Sequence, residues 1–220
     1  MPISPEYNSF VRNGKVNNFV CWSLGPLSAS TLRTKLDATD ETLWEKYNFR
    51  QRHIHVHANV PALRIYWLKS SWKRLTKEPM TVYRFTEFNE FFPIIDSLIS
   101  HISQMFPNCS VTRVMFAKLL PNTSIPAHTD TAEAIALAHR IHWVIATDPS
   151  VIFSIDRQEF HLEADRLYET NNVRLHSVKN PSQTPRIHCI LDLMPNANIQ
   201  NGIQYVDLNF DQSRDFDPHS

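Results

Sequence analysis

The sequence predicts one mainly-β domain, a small barrel or sandwich with helices buttressing one face. Three observations predict it. Helical periodicity is confined to the first half of the 220 residues. From Val111 onward apolar residues recur in short runs separated by Pro, Asn, Asp and Ser clusters, the pattern of strands and turns. No composition shift, internal repeat or linker divides the chain, and its length suits a single domain.

Ser28-Ala29-Ser30-Thr31 offers a helix N-cap, and Leu32, Leu36, Leu43, Trp44 and Tyr47 line helical turns on either side of residues 37–40. The pattern then switches to period two at His53-Ile54-His55-Val56-His57 and, after a proline-bearing turn, over 62–68, with another short strand at 80–85. The clearest helix follows. Phe88, Phe91, Phe92, Ile95, Leu98, Ile99, Ile102, Met105 and Phe106 recur at three and four, with Pro93 in the first turn and Pro107 as the stop. That stripe is core. Strands are expected at 111–120, 140–146, 151–155, 159–162, 166–168, 175–178 and 186–193. The single domain 1–220 thus divides into N-terminal helices and flanking strands (1–110), a core (111–194) and an Asn/Gln/Asp-rich, irregular C-terminal tail (195–220).

Composition excludes several classes. Lys plus Arg equals Asp plus Glu at 22 each, so no nucleic acid or membrane partner is expected. The start, Met1-Pro2-Ile3-Ser4-Pro5-Glu6, has neither the basic nor the apolar part of a secretory signal. Three scattered cysteines (Cys21, Cys109, Cys189) without CxxC spacing argue against a disulfide framework or zinc ribbon and for a reducing, cytoplasmic setting. Only three glycines occur, Gly14, Gly25 and Gly202. Neither a dinucleotide fingerprint nor a phosphate loop can be built from them.

The 11 histidines carry more. In Pro126-Ala127-His128-Thr129-Asp130, extended backbone points His128 and Asp130 to one side. His176 stands 48 residues on, room for several short strands before a second imidazole arrives. Two imidazoles and one carboxylate on one face leave open positions on an octahedral iron(II). Arg186, ten residues after His176, suits the next antiparallel strand, where its fork can clamp the far end of a dicarboxylate. Arg140 and His142 share a strand face and are expected to add donors to the same anion. A rival is His53/His55/His57, three histidines on one strand face, as in a zinc hydrolase. No acid follows them in Ala58-Asn59, and neighbours along one strand diverge; a histidine-lined face near the barrel mouth fits better. His188 shares Arg186's face, whereas His139 should face away. Tyr66, Trp67, Trp72 and Trp143 read as core or rim, and Asn172 as a shaper of the turn before His176.

These residues resemble the aspartyl/asparaginyl β-hydroxylase family of 2-oxoglutarate oxygenases. The resemblance covers 111–194 and is carried by Pro121 with Pro126-Ala127-His128, Arg140-Ile141-His142, Asn172, His176-Ser177-Val178 with Asn180, and Arg186-Ile187-His188; the stretch from Arg50-Gln51-Arg52 to Trp67 is compatible. It implies a double-stranded β-helix (a jelly-roll, cupin-like barrel), iron on His128 and His176, the far carboxylate of 2-oxoglutarate on Arg186, and Arg140 and His142 assisting. Two departures matter. Asp130 stands where the vertebrate-type members lack an acid, which resembles full-triad members such as free-proline hydroxylases. Halogenating relatives need that position vacant, so a carboxylate implies hydroxylation. Ala117 stands where the family has a co-substrate-binding serine. The expectation is a dioxygenase using iron(II), 2-oxoglutarate and O2 to hydroxylate an amino acid, free or in a peptide. The alternatives are a non-catalytic metal-binding cupin-like module and the zinc hydrolase.

Overall fold

A computed structural model describes residues 19–22, 27–46, 55–69 and 78–209. Its strands are β1 (Phe19–Trp22), β2 (Ala62–Leu68), β3 (Met80–Phe85), β4 (Cys109–Leu119), β5 (Thr123–His128), β6 (His139–Ala146), β7 (Ile152–Ile155), β8 (Gln158–Phe160), β9 (Leu167–Thr170), β10 (His176–Asn180), β11 (Arg186–Pro195) and β12 (Ile203–Leu208). The helices are α1 (Ala29–Asp37), α2 (Glu41–Lys46), α3 (Phe92–Met105) and a single turn, α4 (Glu133–Ala136).

Strand order defines the architecture. One sheet runs β1-β9-β6-β11-β4-β2-β3-β12 and the other β5-β10-β7-β8. Within the run β4 to β11, first pairs with last and third with both eighth and sixth in one sheet, while second pairs with seventh, and seventh with fourth, in the other. All these pairings are antiparallel. That nesting is the double-stranded β-helix, as expected, and its eight strands span Cys109 to Pro195.

The face of the larger sheet turned away from the cavity is apolar: Phe116, Trp143, Leu167 and Leu191 are all fully buried. On the flank, Ile95, Leu98 and Ile102 of α3 are buried behind Phe88 and Phe91, and the Phe91 ring lies 5.2 Å from that of Phe116 on β4. Each such burial is worth about 1.5–3 kcal/mol. Ser28 caps α1 by accepting from Ser30 N–H at 3.3 Å, and Ala29 N–H donates to Asp165 at 2.6 Å, tying the helix to the turn before β9. Tyr66, Trp67 and Trp143 are core, as expected; Tyr47, Arg50, Gln51, Arg52, His53 and Trp72 lie outside the described residues.

Three expectations are corrected. Residues 55–57 are not strand but a 3-10 turn, closed by Ala58 N–H on His55 C=O (3.2 Å) and Val60 N–H on His57 C=O (3.0 Å). Five residues of alternation are too few to outweigh the need to turn into β2. The tail is not wholly irregular: β12 adds parallel to β3, with Ile203 opposite Met80, and Arg84 grips Asp207 in two hydrogen bonds of 2.6 and 2.9 Å. Its largely exposed, polar composition hides a strand whose role is to cover a sheet edge. The stretch after Val111 also contains α4. β5 carries Pro126, which is tolerated because β5 is an edge strand. Among the described residues no helix is long and apolar enough to cross a membrane.

Candidate active site

The site is assembled where β5 ends and β10 begins. His128 and His176 are register partners across that ladder, which sets the imidazoles side by side with ring centroids 4.3 Å apart. Asp130 follows two residues later, and the nearest ligating atoms of His128, Asp130 and His176 all lie within 4.8 Å of one another. Both histidines are oriented by local carbonyls: Nδ1 of His128 meets Pro126 C=O at 2.8 Å, and Nδ1 of His176 meets Arg174 C=O at 2.9 Å. A carbonyl only accepts, so each Nδ1 carries the proton and each Nε2 keeps its lone pair for a cation. Among the described residues no other cluster has the makings of a metal site.

Asp130 is held from three sides. Its N–H donates to Asn172 C=O at 3.0 Å, while its Oδ2 accepts from Asn172 Nδ2 at 3.2 Å and from Arg140. Arg140 in turn donates Nε and Nη2 to the two oxygens of Asp192 at 2.8 and 2.9 Å, and Asp192 also meets Arg113 at 3.2 Å. Positive and negative groups thus alternate along Arg113, Asp192, Arg140 and Asp130. Burial alone would favour neutral carboxyls, but the arginines outweigh it and hold Asp130 and Asp192 below the usual carboxylate range. In Arg140 the same carboxylates overcome burial and fix the positive charge.

The other end is different. Arg186 is buried at 2% exposure and no carboxylate among the described residues pairs with it. Its Nη2 donates to His188 Nδ1 at 2.8 Å, and its guanidinium stands 5.9 Å from the centre of the Phe153 ring. Burial pulls its pKa down to about 9. Because arginine only donates, His188 Nδ1 is an acceptor; His142 Nδ1, 3.1 Å away, is then the donor between the two rings. Burial first, and Arg186's charge second, keep both imidazoles neutral.

A narrow cavity joins the two ends. Met115, Ile125, Phe153, Ile155 and Val178 supply apolar walls, with Arg140, Asn171, Asn172, His128 and His176 toward one end and Arg186 toward the other. Ala117 also lines it, leaving no hydroxyl there. The structure therefore brings His128, Asp130, His176, Arg140, His142 and Arg186 into one region. Arg140 spends its guanidinium on Asp192 and Asp130, and His142 turns Nδ1 to His188. Of the 53–57 histidines, His57 lines the cavity with its ring 5.4 Å from His128, whereas His55 is exposed. His139 faces away, paired with Glu169 at 2.6 Å.

Two contributors escaped the sequence reading. Asp192 shares the inward face of β11 with Arg186 and His188, and a lone acid within Ile190-Leu191-Asp192-Leu193-Met194 was the available signal. Asn171 sits in a turn, where alternation says nothing.

The sequence profile of the aspartyl/asparaginyl β-hydroxylase family matches residues 27–195. No curated protein sequence matches the chain. Among solved structures, a prolyl hydroxylase from Trichoplax adhaerens in complex with a hypoxia-inducible-factor peptide is similar, with a TM-score of 0.49 and 13% identity over 83% of this chain and 86% of that one. A 2-oxoglutarate-iron(II) oxygenase family oxidoreductase from Burkholderia pseudomallei gives 0.46 and 12% over 66% and 68%. A Pseudomonas putida prolyl-4-hydroxylase gives 0.44 and 14% over 80% and 92%. These likenesses are distant, and the assignment rests on the family profile. The chain belongs to the aspartyl/asparaginyl β-hydroxylase family, a family of iron(II)- and 2-oxoglutarate-dependent oxygenases.

Proposed function

We propose that His128, Asp130 and His176 hold iron(II), that Arg186 anchors the far carboxylate of 2-oxoglutarate, and that the chain hydroxylates an amino acid, free or in a peptide. The observation that carries this reading is the convergence of the three side chains with both Nδ1 atoms tied to carbonyls. The donor set fits the metal: two neutral imidazoles and one carboxylate match a non-haem iron(II) triad with open positions. When bound, iron, 2-oxoglutarate and O2 together supply the oxidising power, with the co-substrate released as succinate and carbon dioxide.

The chain's own residues bind and orient. Arg140 and Asn172 take Oδ2 of Asp130, leaving the other carboxylate oxygen to the cation and fixing its direction. Arg186 offers a buried, uncompensated charge to an anion, with a donor geometry that suits a carboxylate. His142 and His188 stay neutral beside it and hold the guanidinium side of the pocket in one hydrogen-bonded arrangement. The apolar walls limit water around the reacting bond.

Arg186 also speaks against a merely structural metal module, which has no use for an unpaired buried cation. The exposure of His55 speaks against the zinc hydrolase. Three free cysteines, one of them buried, support a reducing, cytoplasmic setting. The eight nested strands support the division into one oxygenase domain with its metal-binding core at 111–194.

The test is succinate formation from 2-oxoglutarate with iron(II), ascorbate and a panel of free amino acids and short peptides, scored by a mass gain of one oxygen. Metal analysis accompanies it. His176→Ala should lose iron and His55→Ala should keep it; the reverse would overturn the assignment.

A further inference from the structure

Asn171 is 1% exposed, and neither its Oδ1 nor its Nδ2 has a hydrogen-bond partner among the described residues. A buried amide left so is costly, and folded proteins rarely tolerate one without a reason. This one lines the cavity. Its position along the sheet is set by register: Thr170, the residue before it, pairs with Arg140, which pairs with Asp192. Arg186 lies six residues before Asp192 on β11, about 20 Å along the strand. Asn171 therefore stands at the end of the cavity away from the co-substrate anchor, beside the turn that leads to His176.

A carboxamide presents an acceptor and a donor side by side, the complement of another amide. The surrounding charges favour the same class of partner. Among the described residues lining the cavity, none is an aspartate or glutamate, and the triad's Asp130 is engaged by Arg140. Arg140 is neutralised by Asp192 and Asp130, and Arg186 belongs to the opposite end. Among the described residues, a zwitterionic amino acid would find no spare opposite charge there for its ammonium or its carboxylate.

We infer that Asn171 is a specificity-determining residue that receives a neutral amide of the substrate, so that the residue hydroxylated stands in peptide linkage rather than as a free amino acid. The inference rests on the proposed function and narrows its substrate. Arg140 and Asn172 fix the metal ligand, Arg186 takes the co-substrate, and Asn171 reads the polypeptide.

The near-isosteric variant Asn171→Leu tests it, with Asn171→Ala as a second variant in case leucine does not pack. A side chain kept for a ligand burdens the empty fold, so Asn171→Leu should melt higher than wild type, by roughly 2–4 °C. A lower melting temperature would mean the fold itself, or a buried water, satisfies the amide, and would overturn the inference. Iron and 2-oxoglutarate affinities should stay near wild type; a clear loss of 2-oxoglutarate affinity would place Asn171 on the co-substrate and overturn it.

The substrate probes are the N-acetyl, C-methylamide derivatives of the standard amino acids beside the same amino acids free. Wild type should form succinate faster with at least one capped compound than with its free counterpart. Both variants should lower kcat/KM for that compound by about tenfold or more. Equal or better use of free amino acids, no response to any probe, or undiminished turnover in the variants would each overturn it. Failure of the wild-type protein to bind iron or 2-oxoglutarate would instead sink the functional reading, and the melting comparison would still decide whether the fold needs Asn171.

Discussion

Arg140 and Arg186 line the same cavity and are both buried, yet their electrostatic circumstances are opposite. Arg140 contacts three oxygens from two aspartates, and its charge is secure. Arg186 donates to a neutral histidine, and burial weakens its hold on the proton. A compensated buried cation is part of the fold and serves the carboxylate it touches. An uncompensated one costs stability, and we propose that it is kept for an anion.

Replacing each arginine by methionine breaks that comparison most sharply. Arg140→Met leaves Asp130 without its arginine and Asp192 with Arg113 alone, and should cost about 3–5 kcal/mol in urea unfolding while weakening iron binding. Arg186→Met removes a burden, so its stability should equal wild type or exceed it by about 1–2 kcal/mol, with the 2-oxoglutarate requirement raised and iron retained. If both variants lose stability alike, the distinction between the two arginines fails.

Acid titration sharpens the same contrast. Asp130 and Asp192 have folded pKa values below the ordinary 3.8. Their contribution to stability is present above about pH 4 and is lost as pH falls through the lowered folded values. Wild type and Arg186→Met should share that acid limb, and Arg140→Met should flatten it, as followed by circular dichroism from neutral pH to pH 2. Asn172→Ala is the mildest intervention. It removes the hydrogen bonds of 3.2 Å to Asp130 and 3.4 Å to Ile135 C=O with Arg140 still in place, and should weaken iron affinity about tenfold with a stability loss of about 1 kcal/mol.

How much of this was legible depended on the range of the interaction. α3 and most of the strands from β4 to β11 are written in local periodicity, and His128 with Asp130 needs only the knowledge that extended backbone repeats every two residues. Arg186 was readable as a lone arginine opening an apolar strand. What binds Arg140 was not, because its partner Asp192 is 52 residues away and is chosen by the β6–β11 register. The strand β12 was hidden for a related reason: its apolar residues Ile203, Tyr205, Val206 and Leu208 do not alternate, and its pairing with β3 spans 123 positions. Alternation misled at His55–His57, where the turn into β2 overrides it. Asn171 lay beyond any pattern, since only the three-dimensional structure reveals that its amide is buried and unpartnered.

We propose that one end of the cavity serves a cation and the other an anion. Calorimetric titration of 2-oxoglutarate into the iron(II)-loaded protein, without oxygen, tests it most directly. Wild type should bind 2-oxoglutarate. Arg186→Met should load iron normally and bind 2-oxoglutarate at least about tenfold more weakly, the loss of one charge-assisted contact. Unchanged 2-oxoglutarate affinity in an iron-loaded Arg186→Met protein would contradict the account.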